Sequence, residues 1–203
     1  MCQIMLNKVD NSLFKSILRV VKQLEIGTCL EFNPDILIPE QRIRDLCSED
    51  KCENFGKHYM CPPYVGSLEE HKKRLKKYKH GILLQYSKPL NVNKDREGAE
   101  KAKVDFHRKI LQLEDFLKDK GIKDVWGMIG GSCYLCRECE ARFDRPCLYP
   151  DKARGSLESI AIDVLDLLDK FGLDNKFYPD RITWTGCILM NSEASRLQGG
   201  VSR

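Results

Sequence analysis

The order of elements in this sequence predicts an α/β fold: a mixed or mostly parallel sheet flanked by helices and carrying two cysteine-rich metal-binding loops. Three observations support it. Short apolar runs alternate with longer amphipathic stretches. Seven of the ten cysteines fall into two dense groups, at 47, 52 and 61 and at 133, 136, 139 and 147. The second group directly follows a strand-like run, and in such sheets sites gather where loops leave the carboxyl ends of strands. Residues 1–203 read as a single metal-binding domain with its cysteine loops at 47–64 and 130–150.

Taken in order, residues 12–25 repeat apolar positions at helical spacing, with Gly27 placed as a C-cap glycine. Asp35 to Pro39 suggests a short strand, and Glu40 to Leu46 a helical turn leading into the first cysteine loop. Ser67 and Glu70 form a capping-box pattern that opens a basic helix running to about Lys79. Gly81 to Tyr86 reads as a buried strand, and the polar stretch Pro89 to Gly98 as an exposed loop. A long amphipathic helix from Ala99 to Lys120 closes at Gly121, and Asp124 to Ile129 is a strand delivering the chain to Gly130, Gly131 and the second cysteine loop. Ser156 caps a helix from Leu157 to Lys170, Ile182 to Met190 is the last strand, and the tail 199–203 is frayed.

Composition limits the function. The charged fraction of 32% is ordinary, and the net charge of +4 comes from 34 basic residues interspersed with 30 acidic ones. That balance does not argue for nucleic acid. No run reaches the ~18–20 apolar residues of a membrane helix, and the N-terminus has no secretory pattern, so the expectation is a cytoplasmic protein with no membrane association. Thiols stay reduced in the cytoplasm, so ten cysteines are better explained by metal than by disulfides.

The second group has the form Cys133-x2-Cys136-x2-Cys139-x7-Cys147. Steps of two intervening residues let a short loop turn thiolates inward from several sides, as a 4Fe-4S cluster requires. Zinc more often takes two separate knuckles and is the alternative metal. Seven residues before the fourth cysteine, rather than three, set this loop apart from a bacterial ferredoxin run. Gly130 and Gly131 would let the backbone approach the metal closely. Arg137, Arg142, Arg145 and Arg154 would either stabilise a reduced cluster or belong to a solvated surface shared with Glu138, Glu140, Asp144 and Asp151.

The first group, Cys47, Cys52 and Cys61, precedes Pro62 and Pro63, which stiffen the exit from the loop. With His58 it could make a four-ligand zinc site. Its three thiolates could instead hold a second cluster with one iron open to a small-molecule substrate, share one cluster with the other loop, or merely pack. Cys187, inside a strand, reads as a core residue, while Cys2 and Cys29 carry no signal.

These residues resemble a prokaryotic family of predicted metal-binding proteins of unknown function. The resemblance covers most of the chain. It rests on the stretch from Cys52 to Tyr64, on Gly131 to Cys147, and on Pro150 to Val164. The family's last segment looks like an arginine after the fourth cysteine and then Pro-Ser-Met-Glu-Ala-x-Gly-Ile-Asp-Val. Here Leu148 replaces the arginine, Gly155 the proline and Ala161 the glycine. The resemblance implies metal binding and a cytoplasmic setting, and no reaction.

Lys72, Lys73, Arg74, Lys76, Lys77 and Lys79 form a basic run that lacks interleaved stacking aromatics apart from Tyr78. It reads as a solvated helix face or a dock for an acidic electron-transfer partner. Asp163 reads as a group near the cluster or a solvent-facing acid. The expected function is iron–sulfur binding with a redox role, as electron carrier or small cluster-dependent enzyme. The alternative is a zinc-stabilised interaction or regulatory module.

Overall fold

The computed structural model describes residues 9–191. Five α-helices and four strands are described there: α1 (Asn11–Gln23), β1 (Thr28–Phe32), α2 (Gln41–Ser48), α3 (Leu68–Leu75), β2 (His80–Pro89), α4 (Arg96–Asp119), β3 (Val125–Met128), α5 (Val164–Lys170) and β4 (Arg181–Met190). Short 3-10 turns occupy Pro34–Ile36, Glu140–Phe143 and Glu158–Ile160. The expected tail at 199–203 lies outside the described residues.

The sheet corrects the sequence expectation. Its order is β1-β2-β4-β3, and every neighbouring pair of strands is antiparallel. The physical reason lies in β4. Strands β2 and β3 both run antiparallel to β4, so they run parallel to each other, as a strand–helix–strand crossover through α4 demands. The last strand then inserts between them, pairing with β2 from His80↔Met190 to Pro89↔Arg181. Outside the named strands, the one described parallel pairing is the bridge Ile129↔Ser156.

Both faces of the sheet are covered, which is why its strands read as unbroken apolar runs. On one face α4 lays Ala102, Phe106, Ile110, Leu113 and Leu117, with Ile17 and Val21 of α1, against Ile82, Leu84, Tyr86, Ile188 and Met190. On the other, Leu83, Cys187, Leu189, Trp126 and Met128 meet Leu75, Tyr78, Leu157, Ile160, Leu167 and Leu168. Cys187 is a fully buried core residue, as expected. Gly127 lets α4 approach the sheet closely, since a Cβ there would fall 2.7 Å from Ile110 Cγ2.

Several boundaries move for local reasons. At the end of α1 the left-handed residue is Glu25 (φ 55), not Gly27. Gly27 instead donates its N–H to the Gln85 carbonyl. The first strand is Thr28–Phe32; Asp35 falls in a 3-10 turn after it, where the Asn33 side chain accepts from the Asp35 N–H. The capping box at Ser67 and Glu70 forms as expected, but α3 ends at Leu75. Helix α4 starts earlier than expected, at Arg96, because the Asp95 side chain accepts from the Gly98 N–H.

The helix expected over Leu157 to Lys170 is broken in two. Ser156 Oγ accepts from the Ser159 N–H and closes only a short turn. Ala161 then adopts φ 68, and its carbonyl accepts from the Glu40 N–H at 2.8 Å. Asp163 restarts the chain as the N-cap of α5, taking the Asp166 N–H at 3.0 Å.

Candidate metal centre

The second cysteine loop leaves β3 through Ile129, whose N–H donates to the Gly155 carbonyl at 3.0 Å. Gly130 and Gly131 serve packing against β4. A Cβ on Gly130 would lie 2.9 Å from Trp184 Cβ, and Gly131 has φ 69. After Cys139 the Glu140–Phe143 turn ends at Asp144 in the left-handed region, and the Arg145 guanidinium pairs with Glu140 at 3.2 Å. Beyond Cys147, the loop returns to α4 through two anchors. Arg154 forks onto Glu114 at 2.8 and 2.6 Å, and His107 Nε2 bonds the Lys152 carbonyl at 2.9 Å. Glu114 is 1% exposed and also accepts from the Gly127 N–H at 2.7 Å.

This path brings Cys133, Cys136, Cys139 and Cys147 onto the wall of one small cavity of about 20 Å³. His58, Tyr59 and Met60 of the first cysteine loop complete that wall, together with Leu135, Tyr149 and Ala153. Burial raises the Cys133 thiol above its ordinary pKa, opposed by backbone N–H groups of Leu135 and Arg154 that favour the thiolate. Cys136 is raised by burial and then by the neighbouring Cys147 and Cys139 thiols.

The first loop lies against the second. The Tyr59 hydroxyl donates to the Arg145 carbonyl at 2.7 Å, and Arg142 donates to the Glu53 carbonyl at 3.1 Å. Cys61 is buried and its thiol is pushed up to about 12 by burial, then by Cys52 and Cys47, then by Cys139 and Cys133. Cys47, at the end of α2, is raised by burial and by Cys52, and lowered by Arg44. Cys52 is exposed. Among the described residues no three His, Cys, Asp or Glu side chains converge closely enough to hold one metal ion.

Other expected site residues land elsewhere. His58 is 8% exposed and lies at the cavity wall, but its Nδ1 accepts from the Met60 N–H at 3.3 Å. Burial lowers its pKa, so the neutral ring acts as a loop brace. Arg137, Arg142 and Arg145 are exposed, and Arg154 is committed to Glu114. Asp163 is a helix cap that also pairs with Arg42 at 2.8 Å. Lys73, Arg74, Lys76, Lys77 and Lys79 are exposed, and Lys72 pairs with Glu69 at 2.8 Å. Leu148, one of the departures from the resembled family, is 58% exposed. Cys29 is half-buried in β1, and Cys2 lies outside the described residues.

Sequence reasoning missed Lys103, His107 and Glu114. Their signal was available: polar residues interrupting the apolar stripe of α4 at helical spacing.

A family model described as "Predicted metal-binding protein (DUF2284)" matches residues 31–190, and the chain belongs to that family. Neither the curated proteins nor the solved structures contain a match. No helix among the described residues is long and apolar enough to cross a membrane.

Proposed function

We propose that this member of the predicted metal-binding family holds an iron–sulfur cluster on Cys133, Cys136, Cys139 and Cys147 and serves a redox role. The observation that carries the reading is the shared cavity: the four thiols line it together, and no three of them converge on a single point. A polynuclear group suits that arrangement, because its irons are separate and each takes its own thiolate. Thiolate is also the soft donor that iron–sulfur clusters select.

The surrounding residues support the same chemistry. Backbone N–H groups of Leu135 and Arg154 favour the Cys133 thiolate over the thiol, and hydrogen bonds to sulfur tune cluster potentials. Met60, Leu135 and Ala153 present apolar wall to the site and limit water there. When bound, the cluster supplies a one-electron couple. The protein's residues then fix the thiolates, hold water off and keep the two loops clasped.

Cys47, Cys52 and Cys61 would supply a second donor set, on a loop hydrogen-bonded to the one that carries the first. Three thiolates would leave one metal position for a small molecule, while electron transfer would need only a partner protein at the rim. Reduced thiols are what the cytoplasm preserves, which supports that setting.

Protein prepared without oxygen tests the reading. A broad visible absorption that bleaches with dithionite, and disappears in Cys136→Ser, is expected. Colourless protein that unfolds as a chelator strips zinc would overturn it and favour a zinc-stabilised interaction module.

A further inference from the structure

One cation lies beside the second cysteine loop and takes no part in the structure described so far. Lys103 leaves α4 with its ammonium 3.7 Å from the centre of the Tyr134 ring and 5.9 Å from that of Trp184. Its stem passes Gly131, where a Cβ would come within 3.2 Å of Lys103 Cδ. The acids near it on α4 are engaged elsewhere: Glu100 pairs with Arg96 at 3.3 Å, and Asp105 with Lys109 at 3.7 Å. Lys103 has no ion pair of its own among the described residues. After Glu100, the ionisable groups whose negative charge would favour its ammonium are thiols, Cys133 from the second group and Cys61 and Cys52 from the first.

A half-buried ammonium without a carboxylate partner is costly, and its burial indeed favours loss of the proton. A thiolate-bound metal group of net negative charge is the partner this position lacks. The arginines of the second loop do not supply that charge, since Arg154 is neutralised by Glu114 and Arg137, Arg142 and Arg145 are exposed to screening solvent. The ring of Tyr134 fixes where the ammonium sits.

We propose that Lys103 is the counter-ion of the second cysteine group and sets how readily the metal group it holds accepts an electron. It acts as a positioning residue through charge, with no bond to the metal. The inference rests on the iron–sulfur reading above. Reduction adds one electron, taken in the assay from dithionite, and so adds one negative charge beside the ammonium. Removing the ammonium should therefore disfavour the reduced form.

Spectroelectrochemical titration of wild type, Lys103→Met and Lys103→Arg tests this. Lys103→Met should make reduction about tenfold less favourable, a downward shift of 59 mV for a one-electron couple. Lys103→Arg, which keeps the charge, should stay near wild type. An unchanged potential in Lys103→Met overturns the inference while leaving the iron–sulfur reading intact. Should Lys103→Met fail to retain iron, Lys103→Arg decides. Iron-loaded Lys103→Arg with the wild-type potential supports a role for charge, and an iron-free one makes the role steric and overturns it. Wild type without a bleachable absorption sinks the underlying reading, a failure seen before any variant is compared.

Discussion

His71 sits on the inward side of α3, 4% exposed, and its Nε2 has no partner among the described residues. Burial first, and then the charges of Arg44 and Arg74, lower its pKa from 6.5 to about 4. The sign of the consequence follows from linkage. Between those two values the unfolded chain binds a proton that the folded chain refuses. Stability is therefore full above about 6.5, falls as pH drops toward about 4, and stops falling on this account once both states are protonated. Urea midpoints of metal-free protein should thus drop between pH 7 and pH 5, and His71→Phe should flatten that slope. An equal slope in the variant would assign the acid sensitivity to other groups. None of this was legible in the sequence, where His71 simply precedes the basic run from Lys72 to Lys79. The capping box fixed the start of α3, and only packing showed which side faced inward.

Helix α4 carries the consequence at the scale of elements. Its periodic apolar stripe was legible, and so were its closing Gly121 and the strand that follows. What the stripe left open was the purpose of its polar interruptions. Glu114 receives the Gly127 N–H and the Arg154 fork, tying the segment after Cys147 to both helix and sheet. Removing one partner of such a pair leaves the other charge buried alone. Glu114→Ala should cost about 3–5 kcal/mol of stability by urea unfolding, and amide exchange should speed up over residues 147–155. A loss under ~1 kcal/mol, the scale of an exposed pair, would mean that Arg154 finds water instead. The break at Ala161 belongs to the same scale. A left-handed alanine costs about 1–2 kcal/mol relative to the right-handed form, and the resembled family places glycine there. The sequence offered no turn residue at this point, so a continuous helix was the natural expectation.

At the scale of the molecule, the cysteine spacings were legible and the contacts that hold the two loops together were not. Two loops roughly eighty residues apart are clasped by Tyr59 to Arg145, Arg142 to Glu53 and Asn54 to Ser132. Such contacts depend on the whole sheet. Alternating strands and helices suggested parallel neighbours, and the parallel β2–β3 relation exists, but β4 fills the gap between them. That insertion lays Trp184 beside the glycines that open the second loop and beside Lys103. The most direct test of the metal centre is the iron, sulfide and zinc content of wild type and Cys136→Ser, both purified without oxygen. The expected result is about four irons and four sulfides per chain, or up to twice that if the first group also loads, with about four of each lost in the variant. Stoichiometric zinc without sulfide in wild type would contradict it.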